Sequence, residues 1–528
     1  MKVLISDAMS EEGVQHLQQQ PGLEVVYKPG IAGDDLKREL ADAAALIVRS
    51  KTKVTSEVIE AAPQLRVIGR AGAGVDNIDL ETATRRGIVV MNTPGGNSIS
   101  AAEHAFALMM AIARKIPFAH MSMVAGEWNK AKFTGVELNG KTLGILGLGK
   151  IGSIVARRGL GFNMKVLAYD PYVSEAYAQD LGVELCPLEV VLERADFLSL
   201  HLPLNDQTRA LINAPNLARM KPGAYLINTA RGGLIDEPAL IAALRSGHLA
   251  GAALDVFPEE PKVSEELRSL PNVVLTPHIA ASTREAQAKV GYDIAVQVAD
   301  YLLREIIVNA VNFPSLSPRE LDQLSTYIRL GEKLGTFVGT IARLRIEEIG
   351  IRYYGELTNL NYKALSNYVL KGILKPVLSE SINEVNARKL AAERGISVIE
   401  TVSSRERSYS NLISIQLRAK DRMEWVEGAV LRHGDLRLVS VDGIPAETQL
   451  GPYVLFVRNE DKPGVVGHLG TILGDAGINI ASFVLGRNDQ QKHAVGVINT
   501  DSPVPEEVLK KIEALPLVRF VCAVRLED

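Results

Sequence analysis

The sequence predicts an α/β protein made of two doubly wound parallel-sheet domains, followed by an α+β domain and a small βαββαβ domain. Short unbroken apolar runs alternate with helical patterns from Met1 to about Ser282, as expected for strands buried on both faces of parallel sheets. A glycine fingerprint, GLGKIG, stands at 147–152 and opens a helical pattern. The last segment reads strand, helix, strand, strand, helix, strand, which is the ferredoxin-like order.

The length and composition are those of a multidomain globular protein. The 528 residues, of which 47% are hydrophobic and 23% charged, correspond to three or four domains. The formal net charge is −4 without a basic block, which argues against nucleic-acid or anionic-membrane partners. Only two cysteines occur, Cys186 and Cys522, so we expect no disulfide framework and no metal site. The N-terminus lacks the apolar core of a signal peptide and no run is long enough to span a membrane, which predicts a cytoplasmic protein.

The first domain is predicted from five apolar runs, KVLIS, LEVVY, AALIV, LRVIG and GIVVM, with helical patterns between them. Ser100 and Glu103 have the spacing of a capping box at the head of AAEHAFALMMAIAR, a helix that carries the chain into the second domain. Apolar residues then recur every four residues from 286 to 302, which predicts an amphipathic helix that returns to the first domain. We therefore assign 1–98 and 284–314 to the first domain and 99–283 to the second.

The rest of the chain is predicted to form two further domains. NFPSLSPREL, at 312–321, has the proline and serine content of a linker. Up to about Leu450 the pattern mixes the strands RIEEIGIRYYG, LISIQLR and LRLVSVDG with the helices YKALSNYVLKGIL and NEVNARKLAAERG. We assign 315–451 to a third domain and 452–528 to the βαββαβ domain.

The glycine fingerprint predicts a Rossmann-like dinucleotide site. Gly147 permits the tight turn, Gly149 lets the backbone approach a pyrophosphate, and Gly152 lets the helix pack closely on the strand. The next apolar run ends in Asp170, whose carboxylate can accept both ribose hydroxyls and would repel a 2′-phosphate. The sequence therefore favours NAD over NADP. The alternative is that Asp170 only starts a turn before Pro171.

Most apolar runs of the second domain are followed by a polar residue, and in an open parallel sheet such residues face one shared crevice. The residues are Asp170, His201, Arg231, Asp255, Glu260 and His278. Arg231 has a fork matched to a substrate carboxylate, and His278 can accept a hydroxyl proton as hydride leaves. A Glu260 carboxylate bonded to the second imidazole nitrogen would fix the tautomer. This combination indicates hydride transfer between a 2-hydroxy acid and NAD.

Each of these residues also has a structural interpretation. Taken singly, Arg231 is typical of a surface ion-pair partner, His278 of a hydrogen-bonded structural histidine, and Glu260 of a solvated loop charge. The functional interpretation is favoured because all three follow consecutive strands of one dinucleotide domain. His201 is assigned to the wall of the cofactor site.

The motifs GxGxxG, NTARGG, DVFxxEP and TPHIxxST resemble those of the D-2-hydroxyacid dehydrogenase family. GRAGAGVDNID at 69–79, NTPGGNSISAAEHAFAL at 92–108, the intervening domain and the terminal βαββαβ module extend the resemblance to the long-form branch that acts on a phosphorylated substrate. The resemblance implies an NAD-dependent oxidoreductase that converts 3-phospho-D-glycerate to 3-phosphohydroxypyruvate, the first step of L-serine biosynthesis. The first domain would then bind substrate and the second NAD.

The resemblance also implies roles for individual residues, with Arg231, Glu260 and His278 as the catalytic group. The NAD site would comprise Gly147, Gly149, Lys150, Ile151, Gly152, Asp170, Pro171, His201, Thr208, Thr229, Ala230, Asp255 and Ala280. The substrate site would comprise Arg49, Ser50, Arg70, Asn97, Lys130 and Lys132. The two lysines stand where relatives often have an arginine that reaches the phosphate site of a neighbouring subunit.

The terminal module resembles an ACT regulatory domain, which implies an amino-acid effector, L-serine, bound by Asn459, Asp461 and Asn479. The alternative is structural: Asn459 and Asp461 cap the helix near Pro463, and Asn479 follows the stop at Gly477. The third domain is similar to an allosteric substrate-binding domain, whose ligand the sequence does not name. ACT pairing and the long helix after residue 100 predict a homo-oligomer, a dimer or a tetramer.

Two other functions fit part of the sequence. A glyoxylate or hydroxypyruvate reductase of the same family would not need phosphate-binding arginines. A non-catalytic NAD-sensing scaffold, similar to the C-terminal binding protein corepressors, would share the fold. The ACT-like tail together with Arg49 and Arg70 argues against the scaffold. A binding-only amino-acid sensor would leave Arg231, Glu260 and His278 without a role.

Overall fold

Four β-sheets follow one another along the chain in a computed structural model that describes residues 1–378, 381–403, 405, 408–420, 422–431, 434–488 and 493–526. The first two sheets are parallel, the third is mixed and the fourth is antiparallel. The predicted fold class is confirmed. Among the described residues, no helix combines the length and apolar character that a membrane crossing requires.

The first sheet contains the five strands predicted from the apolar runs. They are β1 (Lys2–Ile5), β2 (Glu24–Tyr27), β3 (Ala43–Val48), β4 (Val67–Arg70) and β5 (Val89–Asn92), and the helices between them are α1 (Glu11–Gln18), α2 (Gly33–Leu40), α3 (Ser56–Glu60) and α4 (Leu80–Arg85). The strand order is β2-β1-β3-β4-β5. Val3 and Ile5 pack into one apolar cluster and Leu4 into another, because alternate residues of a strand face opposite sides of the sheet.

The helix that leaves the first domain, α5 (Ser98–Ala113), begins two residues before the predicted capping box. The prediction of that box is wrong. Ser100 Oγ lies 2.8 Å from Thr283 Oγ1, and the Glu103 carboxylate pairs with Arg158 at 3.0 Å. Both side chains therefore bind other elements, because the helix start is set by the turn that precedes it and not by the Ser-x-x-Glu spacing.

The second sheet has seven parallel strands. They are β6 (Thr142–Leu146), β7 (Lys165–Tyr169), β8 (Glu184–Leu185), β9 (Phe197–Leu200), β10 (Ala224–Asn228), β11 (Leu249–Leu254) and β12 (Val273–Leu275). The helices of this region are α6 (Ile116–Val124), α7 (Lys150–Gly161), α8 (Glu175–Asp180), α9 (Leu188–Arg194), α10 (Ala214–Arg219), α11 (Glu237–Arg245) and α12 (Glu265–Arg268). The order β12-β11-β10-β9-β6-β7-β8 reverses direction between β6 and β9, which places a ligand crevice at the carboxyl ends of these strands.

The long helix α13 (Arg284–Arg304) returns the chain to the first sheet. It packs against α1 and β4, and its buried residues Ile294 and Val298 belong to the same apolar cluster as Val3. The structure thus places the segment after residue 284 where the amphipathic pattern predicts it.

The third sheet has six strands, more than the sequence predicts. The helices are α14 (Pro318–Ile341), α15 (Tyr362–Leu374) and α16 (Ala387–Glu393), and the strands are β13 (Glu348–Gly355), β14 (Ser397–Ser403), β15 (Asn411–Ala419), β16 (Arg422–Val430), β17 (Leu436–Val441) and β18 (Ile444–Gln449). The order is β14-β13-β15-β16-β17-β18. The predicted linker ends early, at Ser317, where a capping box with Glu320 starts α14 and Pro318 occupies a first-turn position.

The fourth sheet has the predicted βαββαβ order. Its elements are β19 (Tyr453–Glu460), α17 (Val465–Asp475), β20 (Ile480–Asn488), β21 (His493–Thr500), α18 (Glu506–Glu513) and β22 (Val518–Arg525), and the strand order is β20-β21-β19-β22. One face of this sheet packs on the third domain: the rings of Phe456 and Phe337 are 5.6 Å apart, and Arg458 pairs with Glu424 at 3.0 Å. The two C-terminal domains therefore share one apolar core.

The third domain also contacts the first through the segment before α16. Asn383 Nδ2 donates to the Gly87 carbonyl at 2.7 Å, and Asn386 Nδ2 donates to the Arg85 carbonyl at 3.3 Å. Val385 is buried in the apolar cluster of the first sheet. The carboxyl end of α4 is thus held by side chains of the third domain.

Candidate active site

A cavity of about 740 Å³ lies between the carboxyl ends of the first two sheets. Ser50 and Arg70 line it from the first domain, and Arg231, Glu260 and His278 line it from the second. Each of these residues lies at the end of a strand or in the loop beyond it, as the switch-point rule for parallel sheets predicts. The structure therefore brings the three predicted catalytic residues together beside two of the predicted substrate residues.

His278 and Glu260 form a hydrogen-bonded pair. His278 Nδ1 lies 2.7 Å from Glu260 Oε2, and Glu260 Oε1 accepts the Phe257 backbone N–H at 3.1 Å. A carboxylate accepts only, so Nδ1 carries the proton and Nε2 remains the basic nitrogen of the ring. The His278 side chain is 47% exposed, which leaves it accessible from the cavity.

The buried Asp255 carboxylate holds the loop that carries His278. It accepts bonds from Thr276 Oγ1 at 2.6 Å and from the backbone N–H groups of Ile279 and Ala280 at 2.9 Å each. Burial alone would raise the pKa of Asp255, but its hydrogen bonds, led by the one with His104, outweigh burial and lower the pKa. Asp255 and Ala280, which were predicted to line the cofactor site, thus hold the loop that carries His278.

Arg231 is held in the cavity by a carboxylate that the sequence patterns did not single out. Its Nε donates to Asp76 Oδ2 at 3.0 Å and its Nη1 to the Ala230 carbonyl at 2.7 Å. Asn228 Nδ2 donates to the Arg231 carbonyl at 2.9 Å, which fixes the backbone after β10. Asp76 lies in the motif GRAGAGVDNID, so the signal was present but served only to identify the family.

Arg70 belongs to a group of neighbouring cations. Burial lowers the pKa of Arg70 to about 10, and the positive charges of Arg231 and Arg49 act in the same direction. The Arg70 guanidinium donates to the Ala71 carbonyl at 3.3 Å, and the Arg49 guanidinium donates to the Ala8 carbonyl at 3.3 Å. Three guanidinium groups close enough to repel one another provide a site for an anion.

Three polar atoms near this region lack a partner among the described residues. They are Arg70 Nε in the cavity, Asn97 Oδ1 at the residue preceding α5, and Thr229 Oγ1 directly after β10. Buried polar atoms without partners are rare in folded proteins and point to a missing ligand or water. Asn97 was predicted to bind substrate and Thr229 to bind cofactor.

The predicted cofactor cleft has a volume of about 820 Å³ and is lined by Gly149 and Lys150 among others. Gly147 has a φ of 95°, and a Cβ on Gly152 would lie 2.0 Å from the Gly147 carbonyl oxygen. A Cβ on Gly149 would meet nothing within 4 Å, which is the space that a pyrophosphate would fill. The helix α7 starts after Gly149 without a side-chain cap, so its first N–H groups suit a phosphate.

The Asp170 carboxylate closes this turn from the end of β7. Its Oδ2 accepts the Leu148 N–H at 2.8 Å, and its Oδ1 accepts the Tyr172 N–H at 2.9 Å across Pro171. The second bond forms the turn before Pro171 that the alternative interpretation of Asp170 predicts. Both carboxylate oxygens keep lone pairs that could accept bonds from a ribose.

Of the remaining predicted cofactor residues, Lys150 lines this cleft, whereas Ile151, His201 and Thr208 do not. Lys150 Nζ donates to the Pro94 carbonyl at 3.2 Å, whereas Ile151 is half-buried in the first turn of α7. His201 Nε2 lies 2.9 Å from Ser199 Oγ, and burial lowers the pKa of His201 to about 4, so the ring is neutral at neutral pH. The Thr208 hydroxyl donates to a backbone carbonyl of its own loop, at 2.6 Å.

Lys130 and Lys132 lie apart from the substrate cavity. Both are exposed, and Lys132 Nζ is 5.9 Å from the centre of the Phe133 ring. Within one chain they do not line the cavity around Arg231. Their predicted role therefore requires a second subunit.

The three predicted effector residues each have a different environment. Asn459 is buried, and its Oδ1 has no partner within the described ranges. Asp461 pairs with Arg487 at 2.8 Å, and Asn479 Nδ2 donates to the carboxylate of the neighbouring loop at 2.6 Å. The capping alternative is wrong, because α17 begins after Gly464 without a side-chain cap.

Exchanging Gly152 for alanine is expected to destabilise the fold, whereas the same exchange at Gly149 is not. The Gly152 Cβ would collide with a backbone carbonyl that cannot move away, at a cost of about 1–3 kcal/mol. Thermal unfolding of both variants and NAD titration check this. Gly149→Ala should keep the melting temperature and weaken NAD binding; equal melting temperatures would contradict the assignment.

Replacing Asp170 with asparagine is expected to reduce the preference for NAD over NADP by about 10-fold or more, since a charged acceptor for the ribose is removed. Asparagine keeps an acceptor oxygen for the Leu148 N–H, so the turn should persist. The ratio of kcat/KM for the two cofactors measures the effect. An unchanged ratio would mean that Asp170 forms the turn before Pro171 and does not select the cofactor.

Three family models match successive parts of the chain. Residues 106–280 match the NAD binding domain of the D-isomer specific 2-hydroxyacid dehydrogenases, 323–442 the D-3-phosphoglycerate dehydrogenase intervening domain, and 453–517 the ACT domain. NAD is therefore the cofactor, and the chain is an oxidoreductase with a terminal ACT domain.

Relatives that align with nearly the whole chain share the name D-3-phosphoglycerate dehydrogenase. The D-3-phosphoglycerate dehydrogenase of Synechocystis sp. is 43% identical over 528 residues, which cover 99% of this chain and 95% of the relative. That of Methanocaldococcus jannaschii is 41% identical and covers 100% of both chains.

Solved structures match part of the chain. The TT0316 protein from Thermus thermophilus is 36% identical with a TM-score of 0.55 and covers 59% of this chain and 100% of its own. The D-lactate dehydrogenase from Aquifex aeolicus, complexed with NAD and lactic acid, is 31% identical with a TM-score of 0.52 and the same two coverages. The resemblance inferred from the motifs is confirmed, and the chain belongs to the D-3-phosphoglycerate dehydrogenase family of the D-isomer specific 2-hydroxyacid dehydrogenases.

Proposed function

We propose that the protein oxidises 3-phospho-D-glycerate to 3-phosphohydroxypyruvate with NAD, the entry step of L-serine biosynthesis. One observation carries the proposal: the His278–Glu260 pair and Arg231 line the same cavity as Arg70. A proton acceptor, a carboxylate-binding fork and a further cation match a phosphorylated 2-hydroxy acid. The names of the full-length relatives support the same substrate.

In this mechanism Arg231 binds the substrate carboxylate and orients C2. Nε2 of His278 takes the proton of the C2 hydroxyl, and the Glu260 carboxylate stabilises the imidazolium that forms. The bound NAD supplies the hydride acceptor. Closure of the first domain on the second would exclude water from the cavity.

We further propose a homo-oligomer in which a second copy covers α6. Ile116, Met121, Met123 and Val124 are exposed apolar side chains on this helix, and Trp128 beyond it is 75% exposed. Such a patch is larger than scattered surface residues and suits a self-complementary interface. It ends close in sequence to Lys130 and Lys132, which would then face the neighbouring subunit. Light scattering at dilutions of the purified protein tests the dimer or tetramer.

An absorbance assay for NADH tests the activity. We expect NADH with 3-phospho-D-glycerate and little with unphosphorylated D-glycerate, because D-glycerate lacks the second anionic group. A higher rate with D-glycerate would favour the reductase alternative, and no NADH with either substrate would contradict an enzymatic role. Millimolar L-serine, proposed to bind at the ACT domain, should lower the rate. The cytoplasmic location remains a prediction.

A further inference from the structure

The loop that carries His278 has a backbone conformation that needs support from its surroundings. His278 has a φ of 52°, which lies in the left-handed region that residues other than glycine seldom adopt. Its N–H donates to the Asp255 carbonyl at 2.9 Å and to the Thr276 carbonyl at 3.1 Å. Such conformations persist where the surrounding structure fixes them, so the contacts of this loop with other elements decide where the His278 ring lies.

His104, on α5, binds the first end of the loop. Its Nε2 lies 3.0 Å from Thr276 Oγ1 and 3.3 Å from Asp255 Oδ1. The Thr276 hydroxyl donates its one proton to Asp255 at 2.6 Å, so it can only accept from the ring. Both neighbours of Nε2 are therefore acceptors, which means that Nε2 of His104 carries the ring proton.

Ser100, also on α5, binds the second end of the loop. Its Oγ lies 2.8 Å from Thr283 Oγ1, which also accepts the Ala286 N–H at 3.1 Å as the N-cap of α13. Ser100 and His104 are four residues apart, which places them on the same face of α5. One helix face thus contacts the loop 276–283 at both of its ends.

The Asp255 carboxylate connects the His104 ring with the backbone next to His278. It is fully buried and accepts the N–H groups of Ile279 and Ala280, the two residues after His278. Removal of the His104 ring would leave the Thr276 hydroxyl and this carboxylate free to rotate. The backbone that they hold would then shift, and the His278 ring would shift with it.

We propose that His104 and Ser100 are positioning residues, which hold Nε2 of His278 where it can accept the proton of the substrate hydroxyl. The inference rests on the proposed function, because His278 is the proton acceptor in that reaction. Neither residue is among the described residues that line the substrate cavity, so both act through the loop. The effect on rate is large for a small movement, because a displacement of about 1 Å at a reacting group lowers the rate by up to about 10²-fold.

The test compares His104→Phe with His104→Gln in the full-length protein. Phenylalanine keeps a ring and removes the donor, so we expect kcat with 3-phospho-D-glycerate to fall about 10-fold, in line with the loss of one hydrogen bond. KM should not change, because Arg231, which binds the substrate carboxylate, lies on the separate loop after β10. Glutamine keeps an N–H donor and should restore most of kcat. Ser100→Ala should likewise lower kcat without a change in KM.

A double-variant cycle distinguishes positioning from a general loss of stability. His104→Phe should lower kcat no further once His278 is replaced by alanine, since the group that it positions is then absent. His248→Phe is the matched control, because its ring bonds to the Leu217 carbonyl at 3.0 Å outside the cavity, and it should keep kcat. If His104→Phe melts below the assay temperature, Ser100→Ala is used in the same cycle, since it removes only a hydroxyl.

Two results would overturn the proposal. One is an unchanged kcat in folded His104→Phe, and the other is a loss of kcat by the same factor with and without the His278 ring. Absence of NADH with the unmodified protein would instead contradict the proposed function, so the two failures are distinct.

Discussion

Replacing His278 with alanine is expected to lower kcat by about 10²-fold or more, the usual contribution of a general base. The substitution removes the only ring that links the cavity to the Glu260 carboxylate in the described chain. NAD affinity should stay nearly constant, because the glycine turn at Gly149 lies in the separate cleft. Steady-state NADH production with 3-phospho-D-glycerate, together with an NAD titration, measures both quantities.

Two further variants make the interpretation specific. Glu260→Gln retains an oxygen for Nδ1 but no charge, so kcat should fall less than in His278→Ala. His248→Ala serves as the matched control, since its ring bonds to the Leu217 carbonyl at 3.0 Å outside the cavity. A kcat for His278→Ala close to that of the control would remove His278 from the proton-transfer role.

Replacing Arg231 with lysine is expected to lower kcat/KM for 3-phospho-D-glycerate by about 10²-fold, because lysine keeps the charge and loses the bidentate fork. The fork is already oriented by Asp76 and the Ala230 carbonyl, and a lysine ammonium cannot replace both contacts and also bind a carboxylate in the same plane. Initial rates over a range of substrate concentrations, with NAD saturating, give the ratio.

The control for Arg231 is Asp76→Asn. This change removes the charge that pairs with Nε and leaves the guanidinium in place, so we expect a smaller loss of kcat/KM, with the change mainly in KM. If Arg231→Lys and Asp76→Asn had equal effects, the role of Arg231 would be to hold the loop of Asp76 and not to bind substrate. Melting temperatures of both variants exclude unfolding as the cause.

The sequence predicted the parts of the site that depend on strand ends. Arg231, Glu260 and His278 could be grouped because parallel strands bring their carboxyl ends to one edge of a sheet, whatever lies between them in sequence. The glycine fingerprint could be recognised for a different reason, because the turn at Gly147 is a local feature of the backbone.

Asp76 was missed because it lies in a loop, where no periodicity marks its position. It became part of the site only when the two domains met around one cavity. His104 lies in an apolar helix pattern, and that pattern does not predict that its ring lies 3.3 Å from the buried Asp255 carboxylate. The sequence does not show which side chains the fold will bring into contact.

Local patterns failed where tertiary contacts decided the outcome. The Ser-x-x-Glu spacing at Ser100 coincided with bonds to other helices, whereas the same spacing at Ser317 is a true cap. The strand β14 was missed because it forms a sheet edge with partly exposed side chains, and β18 because it is short and polar at alternate positions.

Val385, Asn383 and Asn386 of the third domain contact the first domain. The stability of the first domain therefore depends in part on the third domain. Although two-domain relatives exist as complete solved structures, this chain cut after Ser317 would leave an apolar hollow behind its first sheet and two carbonyls at the end of α4 without their amide donors. The C-terminal portion therefore also supports the first domain, and its removal is expected to loosen the end of α4 and the segment that leads into β5.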